Sequence, residues 1–421
     1  MRTEPNDVHN LTPTRREFLF WLAALSSLPI RGMASAAATP PQRNLNVLYG
    51  KDTLGAGIRS RIIDNNNGVK MHVLESGFEE KRPCIVLLHG FPELAYSWRN
   101  QLLPLAAAGF HVIAPDLRGY GRSVSTAVTF DDDLPPYSAL NSVSDILGLV
   151  RALGYEKVAA IVGHDWGGPT AQWCSLARPD VFHSVVSLST PFFCSPTLLL
   201  STTTRPVAAA SVDIDKDLAA LPRPRKHYST YSATPDANEN MWHAPQGIHD
   251  LLRALYYFKS ADFKGNRPFP LKSWSAPELA KMPTYYIMDL GKGMAETVAA
   301  EMPSKAQIDA CKWLTEDDLA VYATEYTKTG FQGGLNYYRV GADPSFSGHT
   351  INVPALYIGG DSEWAVYQSP GAFEAMQHGA CTRLLGVHLV KDAGHSLAEE
   401  QPLEVNKLLL EFLHQAKIGA A

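Results

Sequence analysis

Short apolar runs of strand length alternate with amphipathic stretches of helical length along most of this chain. The runs are Val69–Glu75, Cys84–Leu88, Val112–Ala114, Val158–Val162, Val185–Leu188, Ala355–Ile358 and Val387–Val390. Helical patterns lie between them at Leu102–Ala108, Asn141–Leu153 and Gly168–Ala177. Apolar strands separated by helices predict an α/β fold with a mostly parallel, doubly wound sheet that is covered on both faces.

The alternation stops after Ser195 and resumes near Val353. The intervening stretch is rich in Pro and aromatic residues and carries helical patterns at Gly247–Phe258 and Glu316–Lys328. We therefore expect a helical lid at residues 196–342, inserted into a core formed by residues 60–195 and 343–421. Residues 37–59 are rich in Pro, Asn and Gly, which is typical of a linker or sheet edge.

The first 36 residues have the pattern of an export signal. Arg15-Arg16 precedes an apolar stretch, Phe18–Ile30, and small residues follow up to Ala36 and beyond. The stretch is interrupted by Ser and Pro and is too short for a membrane span, which needs about 20 residues. The paired arginines resemble a bacterial twin-arginine signal. We expect a periplasmic or secreted protein that is cleaved near Ala36 and has no stable membrane span in its mature form.

Composition narrows the functional classes. The 421 residues include 45% hydrophobic and 19% charged residues, so the chain can bury a large core. A net charge of −5 without a basic run predicts no nucleic-acid partner. Five cysteines without a C-x-x-C pair predict neither a disulfide scaffold nor zinc, and we interpret them as mostly buried thiols.

Asp165 occupies the place of a nucleophile. The predicted strand Val158–Val162 runs into Gly163-His164-Asp165-Trp166-Gly167, after which a helix begins. This is the G-x-nucleophile-x-G elbow, a tight strand-to-helix turn that exposes one side chain above the sheet. By itself the segment equally fits an ordinary aspartate that caps a helix.

Three further motifs decide in favour of the nucleophile. H-G-F-P at residues 89–92, D-L-R-G-Y-G-R-S at residues 116–123 and A-G-H-S at residues 393–396 each follow a predicted strand. Their order matches the α/β-hydrolase fold. In that fold the oxyanion hole takes one backbone N–H from the loop after the first of these strands and one from the residue after the nucleophile. The resemblance thus implies Phe91 and Trp166.

His395 is the predicted general base, because it follows the last strand as the order nucleophile, acid, base requires. His164 stands beside the nucleophile but should point away, and we interpret it as structural. The orienting acid should follow Ala355–Ile358, where two carboxylates compete. The spacing favours Glu363, whereas a shorter turn would select Asp361.

An aspartate nucleophile changes the reaction. A carboxylate is a poor nucleophile toward acyl carbon, but it attacks an sp³ carbon that carries a leaving group and forms an alkyl ester. Water activated by His395 would then hydrolyse that ester. Epoxide opening and carbon–halogen cleavage both fit, but only the epoxide oxygen needs a proton donor.

Tyrosine can supply that proton while staying neutral at pH 7. Ten of the 17 tyrosines lie in the predicted lid. Together with the motifs above, G-F-Q-G-G-L-N-Y-Y-R at residues 330–339 makes the chain resemble the soluble epoxide hydrolases over nearly its whole mature length. The resemblance implies Tyr338 and, by its distance from Glu296, Tyr285 as the activators of the epoxide. Tyr286 and Tyr337 are then structural.

Two alternatives remain at this point. A haloalkane dehalogenase would share Asp165, Trp166 and His395 but usually has a side-chain donor where Phe91 stands, and a non-catalytic ligand sensor could use the same fold. The favoured reaction needs a small apolar epoxide as substrate, and neither a cofactor nor a metal is implied. The oligomeric state is open, and a homo-oligomer is one alternative.

Overall fold

The computed structural model describes residues 49–50, 53–123, 128–192, 213–340, 346 and 349–418. The predicted export signal at residues 1–36 lies outside the described residues, as does the larger part of the predicted linker. All the secondary structure described below therefore belongs to the core and the lid.

A mostly parallel sheet forms the core. The strands of the described residues are β1 (Arg59–Asp64), β2 (Lys70–Ser76), β3 (Cys84–Leu88), β4 (His111–Pro115), β5 (Ala160–His164), β6 (Val185–Leu188), β7 (Arg225–His227), β8 (Ile287–Asp289), β9 (Ala355–Gly360) and β10 (Leu384–Val390). Eight of them form one sheet in the order β1-β2-β4-β3-β5-β6-β9-β10, in which β1 and β2 run antiparallel to their neighbours and the rest are parallel. β7 and β8 form a separate antiparallel pair.

Helices surround this sheet and build the lid. They are α1 (Arg99–Ala107), α2 (Ala139–Ala152), α3 (Gly167–Ala177), α4 (Ile214–Ala219), α5 (Tyr228–Ser232), α6 (Asp236–Trp242), α7 (Gly247–Lys259), α8 (Ala276–Leu279), α9 (Met294–Ala299), α10 (Lys305–Ala310), α11 (Glu316–Thr329), α12 (Gln332–Arg339), α13 (Ala372–Ala375), α14 (Leu397–Glu400) and α15 (Pro402–Gln415). Elements α4 to α12, with β7 and β8, lie between β6 and β9 in the chain and form the lid.

The central strands are buried because helices cover both faces of the sheet. All residues of β3, β4, β5, β6 and β9 are buried. Val186 faces α1 and α15, whereas Ser187, the next residue of β6, faces Gly168 of α3. Adjacent strand residues point to opposite faces, so apolar positions are needed on both sides. The predicted doubly wound α/β-hydrolase fold is confirmed.

The boundary of β5 differs from the predicted strand Val158–Val162 by two residues. Val158 makes only an isolated bridge to Phe182, and the ladders to β3 and β6 begin at Ala160 and Ile161. The strand therefore continues through His164, which brings its end directly to Asp165.

None of the described helices combines the length and the apolar character that crossing a bilayer requires.

Candidate active site

Asp165 stands in a sharp turn between β5 and α3. Its φ of +49° is in the left-handed region, which costs energy for a residue with a side chain. The turn is tight because a Cβ at Gly163 would lie 2.0 Å from the carbonyl oxygen of Gly167, so only glycine fits there. The turn presents the carboxylate of Asp165 above the carboxyl edge of the sheet.

The two carboxylate oxygens of Asp165 have different surroundings. The backbone N–H of Phe91 donates to Oδ1 at 2.8 Å, whereas Oδ2 lies 3.6 Å from Nε2 of His395. Trp166, the second predicted oxyanion donor, directly follows Asp165, but in the described residues its backbone N–H makes no hydrogen bond to the carboxylate. Oδ1 therefore already accepts a hydrogen bond from a backbone N–H that can stabilise an oxyanion. Oδ2 remains as the oxygen that can attack a substrate.

His395 and Glu363 form a buried pair. Nδ1 of His395 lies 2.5 Å from Oε1 of Glu363, and the two residues are 3% and 1% exposed. Burial raises the pKa of Glu363, against the opposing effects of His164, Ser189 and Lys259. Burial, followed by the charges of Lys259 and His164, lowers the pKa of His395. Asp361 is exposed, so the structure brings Glu363 rather than Asp361 to the histidine.

Ser189 joins this pair, and the sequence analysis missed it. It follows β6 with a φ of +73°, and its hydroxyl donates to Oε1 of Glu363 at 2.6 Å. The hydroxyl oxygen of Ser189 also lies 3.3 Å from Nδ1 of His395. Its position at the carboxyl end of a parallel strand was the available signal, because functional residues collect at that edge.

A second buried pair, Glu93 and His164, holds the loop that carries His395. Glu93 accepts from Nδ1 of His164 at 2.8 Å, and Nε2 of His164 donates to the backbone oxygen of His395 at 2.7 Å. Burial lowers the pKa of His164, but the carboxylate of Glu93 outweighs it and raises the pKa to about 9. His164 therefore points away from the cavity, under the loop that carries the base.

The lid holds the loop of the base from the other side. The backbone N–H of His395 donates to the carbonyl oxygen of Lys259, the last residue of α7, at 3.0 Å. The carboxylate of Glu400 accepts from the N–H groups of Gly394 at 2.9 Å, Ser396 at 3.0 Å and the lid residue Ala261 at 2.9 Å. The base is thus fixed by core and lid together.

Tyr228 and Tyr338 are two lid tyrosines on which the charge of Asp165 acts. Their rings lie 5.9 Å apart because α5 and α12 contact each other. The ring of Tyr338 packs at 5.1 Å against Trp166. Burial, and next the charge of Asp165, raise the pKa of both phenols, so both carry their proton at neutral pH.

Tyr285, the other lid tyrosine predicted from the sequence, has a hydrogen-bond partner within the lid. Its hydroxyl donates to Oδ1 of Asn266 at 2.9 Å, and its side chain is buried within the lid. Burial raises the pKa of Tyr285 most, and the charges of Glu363 and Glu400 raise it further. Tyr228 lines the cavity beside Asp165, so we add it as a candidate proton donor, and the role of Tyr285 stays a prediction from the sequence. Nothing in the spacing of the ten lid tyrosines distinguished Tyr228.

A cavity of about 230 Å³ opens beside Asp165. Its lining residues come from the core, the lid and the segment after Glu363: Asp165, Trp166, Pro169, Thr190, Pro191, His227, Tyr228, Ser229, Trp274, Ala365, Gln368, Ser369 and Ala372. Burial lowers the pKa of His227 to about 4, so this histidine is neutral at pH 7. Within the described ranges, no cluster of His, Cys, Asp or Glu has the arrangement of a metal site. The cavity accepts a small, largely apolar molecule next to the carboxylate.

Comparison with known proteins identifies the family. Residues 83–402 match the family described as alpha/beta hydrolase fold. The chain is 33% identical over 361 residues to epoxide hydrolase 3 of Siraitia grosvenorii, covering 83% of this chain and 97% of that protein. It is 32% identical over 358 residues to epoxide hydrolase B of Mycobacterium tuberculosis, covering 83% and 96%.

A solved structure supports the same conclusion. An epoxide hydrolase from an endophytic Streptomyces superposes with a TM-score of 0.68 at 30% identity, covering 87% of this chain and 98% of that structure. The likeness extends across both core and lid, because the matched 87% of this chain is longer than the core or the lid alone. The chain belongs to the epoxide hydrolases of the α/β-hydrolase fold.

Proposed function

We propose that this protein hydrolyses small, largely apolar epoxides to vicinal diols through an ester of Asp165. The observation that supports this most directly is the placement of the carboxylate. Oδ1 accepts from Phe91, Oδ2 faces His395, and two protonated tyrosines stand above. The tyrosine pair favours an epoxide over a haloalkane, because a departing halide needs no proton.

The first half of the reaction forms the ester. Oδ2 of Asp165 attacks one oxirane carbon, and the bond between that carbon and the ring oxygen breaks. The ring oxygen receives a proton from Tyr228 or Tyr338, which leaves a hydroxyl on the substrate and a phenolate on the enzyme. The largely apolar cavity holds the substituents of the epoxide without a charged partner.

The second half releases the diol. His395 takes a proton from water, and the water oxygen attacks Cγ of Asp165. The negative charge collects on Oδ1, where the N–H of Phe91 stabilises it. The ester bond between Cγ and Oδ2 then breaks, and the leaving alkoxide takes the remaining proton of the attacking water. The second hydroxyl of the diol therefore retains Oδ2, and Asp165 is a carboxylate again. The proton on His395 returns to the phenolate, and Glu363 stabilises the imidazolium in between.

A single turnover in ¹⁸O-water tests this sequence, with enzyme in excess over styrene oxide. The label should appear in the peptide that contains Asp165, while the diol stays unlabelled. Labelled diol with unlabelled Asp165 would contradict the ester route, and absence of diol would contradict the activity itself. Asp165→Asn is the control, because an amide cannot form the ester and should yield no first-turnover diol.

We further propose that the protein is exported, with cleavage near Ala36. The support is the sequence pattern of Arg15-Arg16 followed by a short apolar stretch. Cell fractionation and N-terminal sequencing of the mature protein test this. Lysines in place of Arg15 and Arg16 should retain the protein in the cytoplasm, whereas Arg31→Lys should not. Equal export of both variants would contradict the twin-arginine assignment.

A further inference from the structure

The two tyrosines beside Asp165 have different surroundings. The ring of Tyr338 packs edge-on against the ring of Trp166, with 5.1 Å between the ring centroids. Tyr228 instead contacts a polar side chain of the cavity through its hydroxyl.

The hydroxyl of Tyr228 donates to Oε1 of Gln368 at 3.3 Å, so its hydrogen points away from an epoxide. Gln368 lies five residues after Glu363, lines the cavity beside Asp165 and is half-buried. A carboxamide carries an acceptor oxygen and a donor NH₂ group with nearly the same shape, and a half-turn exchanges them.

We propose that Gln368 is a positioning residue for epoxide opening, which turns its amide to donate to Tyr228 when an epoxide is bound. The inference rests on the proposed function. With Nε2 donating, the oxygen of Tyr228 accepts, and its own hydrogen is left for the ring oxygen of the epoxide. Gln368 itself neither forms nor loses a covalent bond.

The effect belongs to the first half-reaction. When the ring oxygen takes the proton of Tyr228, negative charge develops on the phenolic oxygen, and an N–H from Gln368 stabilises it. This stabilisation matters because burial and the charge of Asp165 both raise the pKa of Tyr228 and so oppose the phenolate. Hydrolysis of the ester depends on His395, which Gln368 does not contact in the described residues.

Two substitutions separate donor from acceptor. Gln368→Glu leaves only an acceptor, which should hold the hydrogen of Tyr228 away from the epoxide. Gln368→Met removes the donor without adding charge. With styrene oxide and rapid-quench mass spectrometry of the ester, we expect ester formation to slow about tenfold or more in Gln368→Glu and several-fold in Gln368→Met, with ester hydrolysis unchanged.

The controls distinguish positioning from a general structural effect. Gln377→Glu makes the same chemical change at an exposed glutamine outside the cavity and should change neither step. In a Tyr228→Phe background, Gln368→Glu should have little further effect, since its target is gone. Unchanged ester formation in both Gln368 variants, or an undiminished effect without the Tyr228 hydroxyl, would overturn the inference. Wild-type diol formation in the same series keeps the proposed function separate from this result.

Discussion

Deleting one hydroxyl from each of two lid tyrosines should separate a catalytic group from a structural one. Tyr228→Phe and Tyr285→Phe each remove a single oxygen. The hydroxyl of Tyr228 belongs to the cavity beside Asp165, whereas that of Tyr285 is buried against Asn266 at 2.9 Å. The first substitution should therefore lower activity with little effect on stability, and the second should do the reverse.

The structure sets the expected magnitudes. Loss of one donor to a developing oxyanion typically costs 10²–10³ in rate, and Tyr338 remains, so Tyr228→Phe should reduce kcat/KM by about 10². Tyr285→Phe leaves a buried Oδ1 of Asn266 unpaired, which should lower the free energy of unfolding by about 1–3 kcal/mol. The Nδ2 group of Asn266 keeps its bonds to the carbonyl oxygens of Phe258 and Ser260 at 2.8 Å, so activity should stay within about threefold.

Diol formation from styrene oxide and urea unfolding of the same preparations measure the two quantities. Tyr286→Phe serves as a further comparison, since this buried neighbour is not assigned a proton. A larger loss of kcat/KM in Tyr285→Phe than in Tyr228→Phe would refute the reasoning and support the assignment of Tyr285 made from the sequence.

Three further outcomes follow from the site. His395→Gln should stop after one ester per active site, visible as alkylated Asp165 by intact mass; continued diol release would contradict its role as base. Glu363→Gln should slow ester hydrolysis by about 10²-fold or more, whereas Asp361→Asn should not, and the reverse order would reassign the acid. Lys259→Met should move the acid limb of ester hydrolysis to higher pH. Removing this positive charge raises the pKa of both His395 and Glu363, so their proton is lost only at higher pH. Lys259→Arg should restore the profile, and superimposable profiles of all three proteins would exclude the effect.

Local sequence predicted much of the core and of the triad region. The elbow at Asp165 depends on the size of two glycines, and the position of His395 depends on chain order, so both can be read from spacing. Apolar runs located the central strands because these are buried on both faces. Glu363 was favoured by turn length, and the structure places it rather than Asp361 at the imidazole.

The lid tyrosines show what spacing cannot supply. Tyr338 lies within a contiguous motif, whereas Tyr228 lies near Asp165 only because α5 packs on α12 across more than a hundred residues of chain. Counting residues selected Tyr285, and the count carried no information on which tyrosine hydroxyl has a buried partner. Ser189 was missed for a related reason, since its role depends on the approach of β9 to β6.

The hydrogen bond from His395 to the last carbonyl of α7 has a consequence for protein engineering. Exchanging lids between relatives is an obvious way to alter substrate selectivity while the core is left unchanged. Here the segment from Lys259 to Ala261 belongs sequentially to the lid but functionally to the base, through the contacts with His395 and Glu400. A chimera should therefore keep residues 259–261 of this chain inside any lid that replaces the present one. A lid without this segment would lose two backbone contacts that hold the loop of the general base.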